Sequence, residues 1–254
     1  DMIDLSKLDV DFGTVSDEQL KTYCRRDVEI IKTVMLQYID FIESHDLGKF
    51  SLTRAAQSFA AYRHRFMDTK INIHTDQDII DLEQNAYIGA RCECFRFGIQ
   101  EAGPFLSLDI NSMYPYVMKM FRYPCRLINY RKNVPLDLAK DILLKFACVA
   151  DVHLETDVPV YAVKHEQRVS FPVGSFRTFL CTGGLQEAMT RGHLKKIYRM
   201  SVYQKDDLFT QYVDFFYNLR SESKQENNPV YVRMLKLFLN SLYGKFAQWQ
   251  PETI

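Results

Sequence analysis

Asp109 closes the apolar run Phe105-Leu106-Ser107-Leu108, which follows a Gly103-Pro104 break. The run has the length and residue types of a short buried strand, so its carboxylate would stand at a strand end. Asn111 or Ser112 then stands where a helix cap belongs, and Pro115 falls in the first turn, where a missing N–H costs nothing. Strand, carboxylate and helix start in succession suit a divalent cation beside a phosphate, the carboxylate holding the metal and free N–H groups facing the anion. For this corner taken alone, an Asp that merely caps is the commoner use.

A second group of residues lies on one face of a helix. At about 100° per residue, Arg233, Lys236, Asn240 and Tyr243 fall within one narrow arc, while Val230, Met234, Leu237, Phe238 and Leu242 occupy the other side. A preceding helix carries Leu208, Tyr212, Phe215, Phe216 and Leu219 on one side and ends in Arg220 and Lys224 at i and i+4. Such a polar stripe is most often a solvated face. Five such groups on one helix hairpin also make an electrostatic clamp for a polyanion such as a triphosphate. A third pair, Tyr23 and Asp27, shares one helix face four residues apart. By spacing alone it reads as a half-buried phenol beside a surface carboxylate; the sharper alternative is a metal-ligand Asp with a Tyr orienting a water.

The elements that must position these groups follow from periodicity. A turn at Gly13-Thr14 precedes a helix from about residue 17 to 43, capped by Ser16 or Asp17, and a second helix covers about 52–67 with the basic cluster Arg54, Arg63, His64 and Arg65. Residues 68–84 read as polar and irregular. Residues 86–95 alternate like a strand, with the Gly89-Ala90 step after Tyr87 leaving backbone open to a partner and Arg91 adjacent for a phosphate. From Pro124 to Tyr203 the pattern favours strands, at about 146–154, 158–163 and 171–180, with a helix from Thr182 to about 189 and a short strand after Lys195-Lys196. Two helices follow from Asp207, split by the polar loop 225–228, and Pro229 opens the second as Gly244 ends it. So short a loop makes them antiparallel neighbours.

Composition sets outer bounds. The 254 residues include 47% hydrophobic and 25% charged, ordinary for a globular chain with room for a core. Lys+Arg and Asp+Glu both number 32, so bulk charge offers nothing to a nucleic acid and any basic groove must be local. The six cysteines show no C-x-x-C spacing, and no signal peptide or long apolar span occurs, which points to a reducing, cytoplasm-type compartment. Asp1 is no natural start and Ile254 follows soon after the densest motif, so the chain reads as a segment of something longer.

Four motifs, in this order, carry a family resemblance. Leu108-Asp109-Ile110-Asn111-Ser112-Met113-Tyr114-Pro115 resembles the first polymerase motif of family B DNA polymerases, D-x-x-S-L-Y-P, and the segment from Lys236 to Gly244 resembles the second, K-x-x-x-N-S-x-Y-G. Tyr23 to Asp27 is similar to Y-x-x-x-D, the third motif of that family's 3′→5′ exonuclease domain. Tyr87-Ile88-Gly89-Ala90 is similar to its Y-x-G-[GA] element, and the looser R-x-x-x-K of the first fingers helix matches Arg220 and Lys224. The Ser241 to Phe246 wording looks most like the protein-primed subgroup of phages, adenoviruses and linear plasmids, organellar ones included. From Asp109 to Lys236 is 236 − 109 = 127 residues, room for palm strands and a subgroup-type insertion.

The resemblance implies an α+β fold: a palm sheet with two-helix fingers, preceded by the C-terminal helical part of an exonuclease domain. Its segments would be 1–50 from the exonuclease domain, 51–104 connecting, 105–206 palm with insertion, 207–244 fingers and 245–254 returning to the palm. It implies template-directed DNA synthesis by two-metal catalysis, with two Mg²⁺ ions (or Mn²⁺), a DNA primer-template, dNTPs and a terminal protein primer as partners, and neither a membrane nor an obligate oligomer. Asp109 would hold metal and Lys236 would neutralise phosphate charge, assisted by Arg220 and Lys224. Asn240, Ser112 and Met113 would bind the nucleotide, and Tyr114 would exclude a 2′-hydroxyl. Tyr87, Gly89, Arg91, Tyr243 and Gly244 would contact DNA, while Tyr23 and Asp27 would serve the exonuclease, Asp27 as a metal ligand. The family's second palm carboxylate, from a D-T-D-type motif, is expected beyond residue 254, and the first two exonuclease motifs before Asp1. The isolated chain is therefore expected to be inactive. The rivals are a degenerate, non-catalytic nucleic-acid-binding remnant and a 3′→5′ exonuclease alone.

Overall fold

The computed structural model describes residues 16–99, 103–165 and 168–246, which form two compact units, Asp1–Arg65 and Phe66–Ile254. The expected turn at Gly13-Thr14 and most of the 245–254 return lie outside the described residues.

In the first unit, helix α1 spans Asp17–Ser44 and opens on a capping box in which Ser16 and Gln19 satisfy each other's backbone N–H groups. Helix α2, Arg54–Ala61, is capped by Thr53 and continues into a π turn at Tyr62–Phe66. Buried Gln57 holds the intervening loop by accepting from the Ser51 N–H at 2.7 Å and donating to the Leu47 carbonyl at 3.3 Å. Both helices fall where expected, although Val28, Ile31 and Val34 of α1 are exposed and its buried residues are Phe41 and Ile42.

In the second unit, helix α3 spans Gln77–Ala86, α4 Met113–Met120, strand β1 Tyr123–Val134, α5 Leu136–Lys145 and β2 Ala147–Thr156. A small hairpin of β3, Val163–His165, and β4, Arg168–Ser170, precedes β5, Gly174–Cys181, α6, Thr182–Thr190, and β6, Leu194–Asp206. Helices α7, Thr210–Gln225, and α8, Pro229–Phe246, complete the described chain. The main sheet is antiparallel in the order β1-β6-β2-β5. Alternation along β2 divides its side chains between two cores. Cys148, Ala150, Val152 and Leu154 face α5 and α6, with Leu143, Leu185, Ala188 and Met200. Ala147 and Val149 face α3, with Ile79, Leu82, Ala86 and Tyr203. Tyr203 fastens α3 to the sheet by donating its hydroxyl to Glu83, and burial, then that bond, holds its pKa well above the usual phenol range.

Helices beside an antiparallel sheet are the α+β arrangement expected, and the α7–α8 hairpin is antiparallel as its loop length requires. Its interior is aromatic: Phe216 stacks on Phe238 with ring centroids 4.7 Å apart, and the Tyr212 hydroxyl donates to the Phe238 carbonyl at 2.9 Å.

Several local expectations fail. Residues 77–86 are helical rather than irregular, because Asp76 caps Ile79 and the spacing Ile79, Leu82, Ala86 gives the helix an apolar face for the sheet. Residues 136–145 also form a helix within the supposed strand region, while 158–163 is a bend reaching β3 only at Val163. The strand beyond Lys195 is the long β6, whose interior Ile197, Met200 and Val202 are covered. Neither 86–95 nor 105–108 forms a strand. The first alternates and the second is an apolar run, but a strand needs a partner for its N–H and C=O groups, and none pairs with them among the described residues. Phe105, Leu106 and Leu108 are 74%, 87% and 89% exposed rather than buried. Gly244 does not end its helix either: α8 runs through it to Phe246.

Candidate active site

The site is assembled by helix docking. Helices α4 and α7 run antiparallel: Lys119 meets Asp214 at 2.5 Å near one end, and Arg220 Nη1 donates to Ser112 Oγ at 3.1 Å near the other. That second bond revises the expected cap. Ser112 does stand at the N-cap of α4, yet at φ 53°, ψ 39° it is left-handed and makes no side-chain cap bond. A serine rarely adopts that conformation, and its hydroxyl, unused as a cap, is engaged by the Arg220 guanidinium. Asp109 is not a cap, since α4 begins four residues beyond it at Met113.

An open cavity of ≈ 420 Å³ lies where these elements meet, lined by Asp109, Ser112, Met113, Tyr114, Arg220, Lys236 and Asn240, with Leu108, Ile110 and Asn111. The structure thus brings the Asp109 corner and the α8 stripe, 127 residues apart by 236 − 109, to one place. Two cations face one carboxylate, so the lining favours an anion. The Arg220 Nε is buried and has no hydrogen-bond partner among the described residues, so the guanidinium retains unused donor capacity beside the cavity. Lys236 is exposed, while Asn240, one helical turn on, is half-buried.

Tyr114 lies flat on Tyr243, with centroids 4.2 Å apart and planes 4° from parallel. The α8 stripe therefore sets the position of the α4 ring. Burial, then the neighbouring Tyr114 phenol, raises the pKa of the Tyr243 hydroxyl, and Tyr87 contributes to the same surroundings.

Other expected site residues are not among those lining the cavity. Lys224 does not line it, although it lies one turn beyond Arg220. Arg91 is engaged elsewhere: it makes two bonds to Glu93, at 2.9 and 3.0 Å, donates to the Pro159 carbonyl at 2.8 Å and stacks on Phe171. Gly89 and Gly244 have open space where a side chain would lie. Tyr23 and Asp27 sit on α1 of the first unit, Tyr23 being 42% exposed. Among the described residues no three His, Cys, Asp or Glu side chains cluster as a metal site.

The sequence did not indicate Leu108 and Ile110 as lining, nor the bond between Ser112 and Arg220. Nothing local marks Ser112 for a left-handed backbone; that contact is purely tertiary.

The family profile for type B DNA polymerases, organellar and viral, matches residues 10–253. The chain belongs to that family. Among curated relatives, a probable DNA polymerase of Neurospora intermedia is 24% identical over 245 residues, covering 91% of this chain and 25% of the relative. One of Ascobolus immersus is 28% identical over 263 residues, covering 99% and 21%. The chain thus spans about a quarter or less of these type B relatives. In fold it is similar to Phi29 DNA polymerase complexed with primer-template DNA and incoming nucleotide substrates, with TM-score 0.67, 17% identity and coverage of 94% of this chain and 44% of that one.

Proposed function

We propose that the chain supplies the nucleotide-binding part of a DNA-directed DNA polymerase that extends a primer 3′-hydroxyl. The carrying observation is the meeting of Asp109, Arg220, Lys236, Asn240 and Tyr114 around one cavity with more positive than negative charge. The relatives named as DNA polymerases, and a similar fold that holds primer-template DNA and nucleotides, support this reading.

Arg220 and Lys236 bind the triphosphate, and their charge offsets what develops on it during transfer. Lys224 draws the anion in from one turn outside. Asn240 and the backbone around Ser112 and Met113 orient the nucleotide. Tyr114, held by Tyr243, closes the space where a 2′-hydroxyl would lie. Tyr243, Gly244, Tyr87, Gly89 and Arg91 form the DNA-facing side, Arg91 by holding the loop beside it. The donor set fits Mg²⁺, which binds through one or two carboxylates completed by phosphates and water, and Asp109 would be its protein ligand here. When bound, the ion supplies positive charge to the reacting oxygens. A second carboxylate would be needed to complete a two-metal site. Tyr23 and Asp27 belong to an editing 3′→5′ exonuclease, the primer is a terminal protein, and the compartment is reducing, in keeping with six free cysteines. An exonuclease alone would leave the Lys236–Asn240 cavity without a use.

Two outcomes test this. Because the cavity holds one carboxylate, the isolated chain is expected not to extend a primer; Mg²⁺-dependent extension by it would overturn the two-carboxylate reading. In a full-length protein containing the chain, Tyr114→Val should raise ribonucleotide incorporation relative to deoxyribonucleotide by roughly 10- to 200-fold, the range for a steric pocket change. Unchanged sugar discrimination would remove Tyr114 from that role.

A further inference from the structure

Two residues beyond Val149, on the α3 side of the sheet, β2 places Asp151. Its side chain is 0% exposed and is gripped by Arg177 through Nε at 2.6 Å and Nη2 at 2.5 Å, and by Arg199 Nε at 3.0 Å. A bulge follows at once: Asp151 pairs with Arg199 and Val152 with Ile197, so Tyr198 is skipped in the β2–β6 register. A bulge turns two successive side chains toward one face. Tyr198 accordingly lies beside Arg199, under the Arg177 guanidinium at 4.4 Å and the Lys196 ammonium at 4.9 Å.

Three cations are thereby concentrated over one buried carboxylate, in a chain whose total charge is +0. Asp151 is enclosed beneath them, while the Arg177 side chain is 56% exposed and Lys196 is exposed with no ion-pair partner among the described residues. Arg177 keeps Nη1 free of Asp151, which takes Nε and Nη2. The bidentate grip and the ring fix that donor in place, so little freedom is lost when an anion binds. The surface is outside the Asp109 cavity, whose lining includes none of these residues. Its one aromatic ring is already covered by two cations, leaving no apolar anchor of the kind protein partners use.

We infer that this face, formed by Arg177, Lys196, Tyr198 and Arg199 over buried Asp151, is a second contact for the phosphate backbone of nucleic acid, indifferent to sequence. The inference rests on the proposal that nucleic acid is the substrate. It adds a holding point separate from the site of chemistry, of the electrostatic, salt-sensitive kind.

The test is fluorescence anisotropy of the intact chain with fluorescein-labelled single-stranded and duplex oligonucleotides across a salt series. Lys196→Glu should weaken binding about tenfold and Lys196→Gln about threefold, with the slope of log affinity against log salt falling by about one. Binding of a fluorescent dNTP should be unchanged, and Lys196 is exposed enough for both variants to fold. Equal affinity and slope in wild type and both variants would overturn the second contact and leave the nucleotide site standing. A wild-type chain that binds neither oligonucleotide would count against the polymerase reading as well.

Discussion

In a full-length polymerase containing this chain, Lys236→Ala is expected to raise the dNTP concentration for half-maximal extension by roughly 10- to 100-fold. Removing one preorganised charged donor from a reacting site costs about 10²–10³ in rate when the site is closed to water. Here the cavity is open and Lys236 is exposed, which screens the charge and lowers the expectation. Arg220 remains across the cavity, fixed by its bond to Ser112, so binding is weakened rather than abolished. Steady-state extension with varied dNTP separates two cases: a change confined to KM means that Lys236 holds the ground-state triphosphate, whereas a fall in kcat as well means that it acts on developing charge. An unchanged nucleotide requirement would place the phosphates elsewhere.

The second large effect concerns stability. Arg177→Met with Arg199→Met leaves Asp151 fully buried with neither guanidinium partner. An unpaired buried charge costs about 3–5 kcal/mol, which at about 2–4 °C per kcal/mol for a chain of this size lowers Tm by roughly 6–20 °C. Asp151→Asn should cost less, about 1–2 kcal/mol, because the stranded guanidiniums are partly exposed and can hydrate. Adding Asp151→Leu to the double variant should restore most of the loss, since a buried pair replaced whole by apolar groups is close to neutral. Thermal melts of the three variants decide it; equal destabilisation by Asp151→Asn and by the double variant would show that the arginines contribute packing rather than charge pairing.

How far the sequence reached varied with the range of the interactions involved. Helix α1, its Ser16 cap and the α7–α8 hairpin were legible because caps, loop length and periodicity are local. Even there the buried face of α8 is centred on Leu235, Phe238, Leu239 and Leu242 rather than on the expected set, since Val230 is 71% exposed. Helix α3 had its signals too, in Asp76 and the spacing of Ile79, Leu82 and Ala86, but they lay within a polar stretch. The segments 86–95 and 105–108 show the opposite failure: the alternation of the first and the apolar run of the second belong to strands, yet pairing is a property of two segments, and one segment's pattern cannot supply it.

For the site, the two family-type motifs, in their order along the chain, named Asp109, Tyr114, Lys236 and Asn240 as one group, and these four line one cavity. Tertiary structure alone decided how they are held. The Ser112 hydroxyl is taken by Arg220 from 108 residues away, Tyr114 lies flat against Tyr243, and Arg91 is drawn into a loop by Glu93, Pro159 and Phe171. Each of these depends on contacts between residues that no local pattern links, so only the folded chain fixes them.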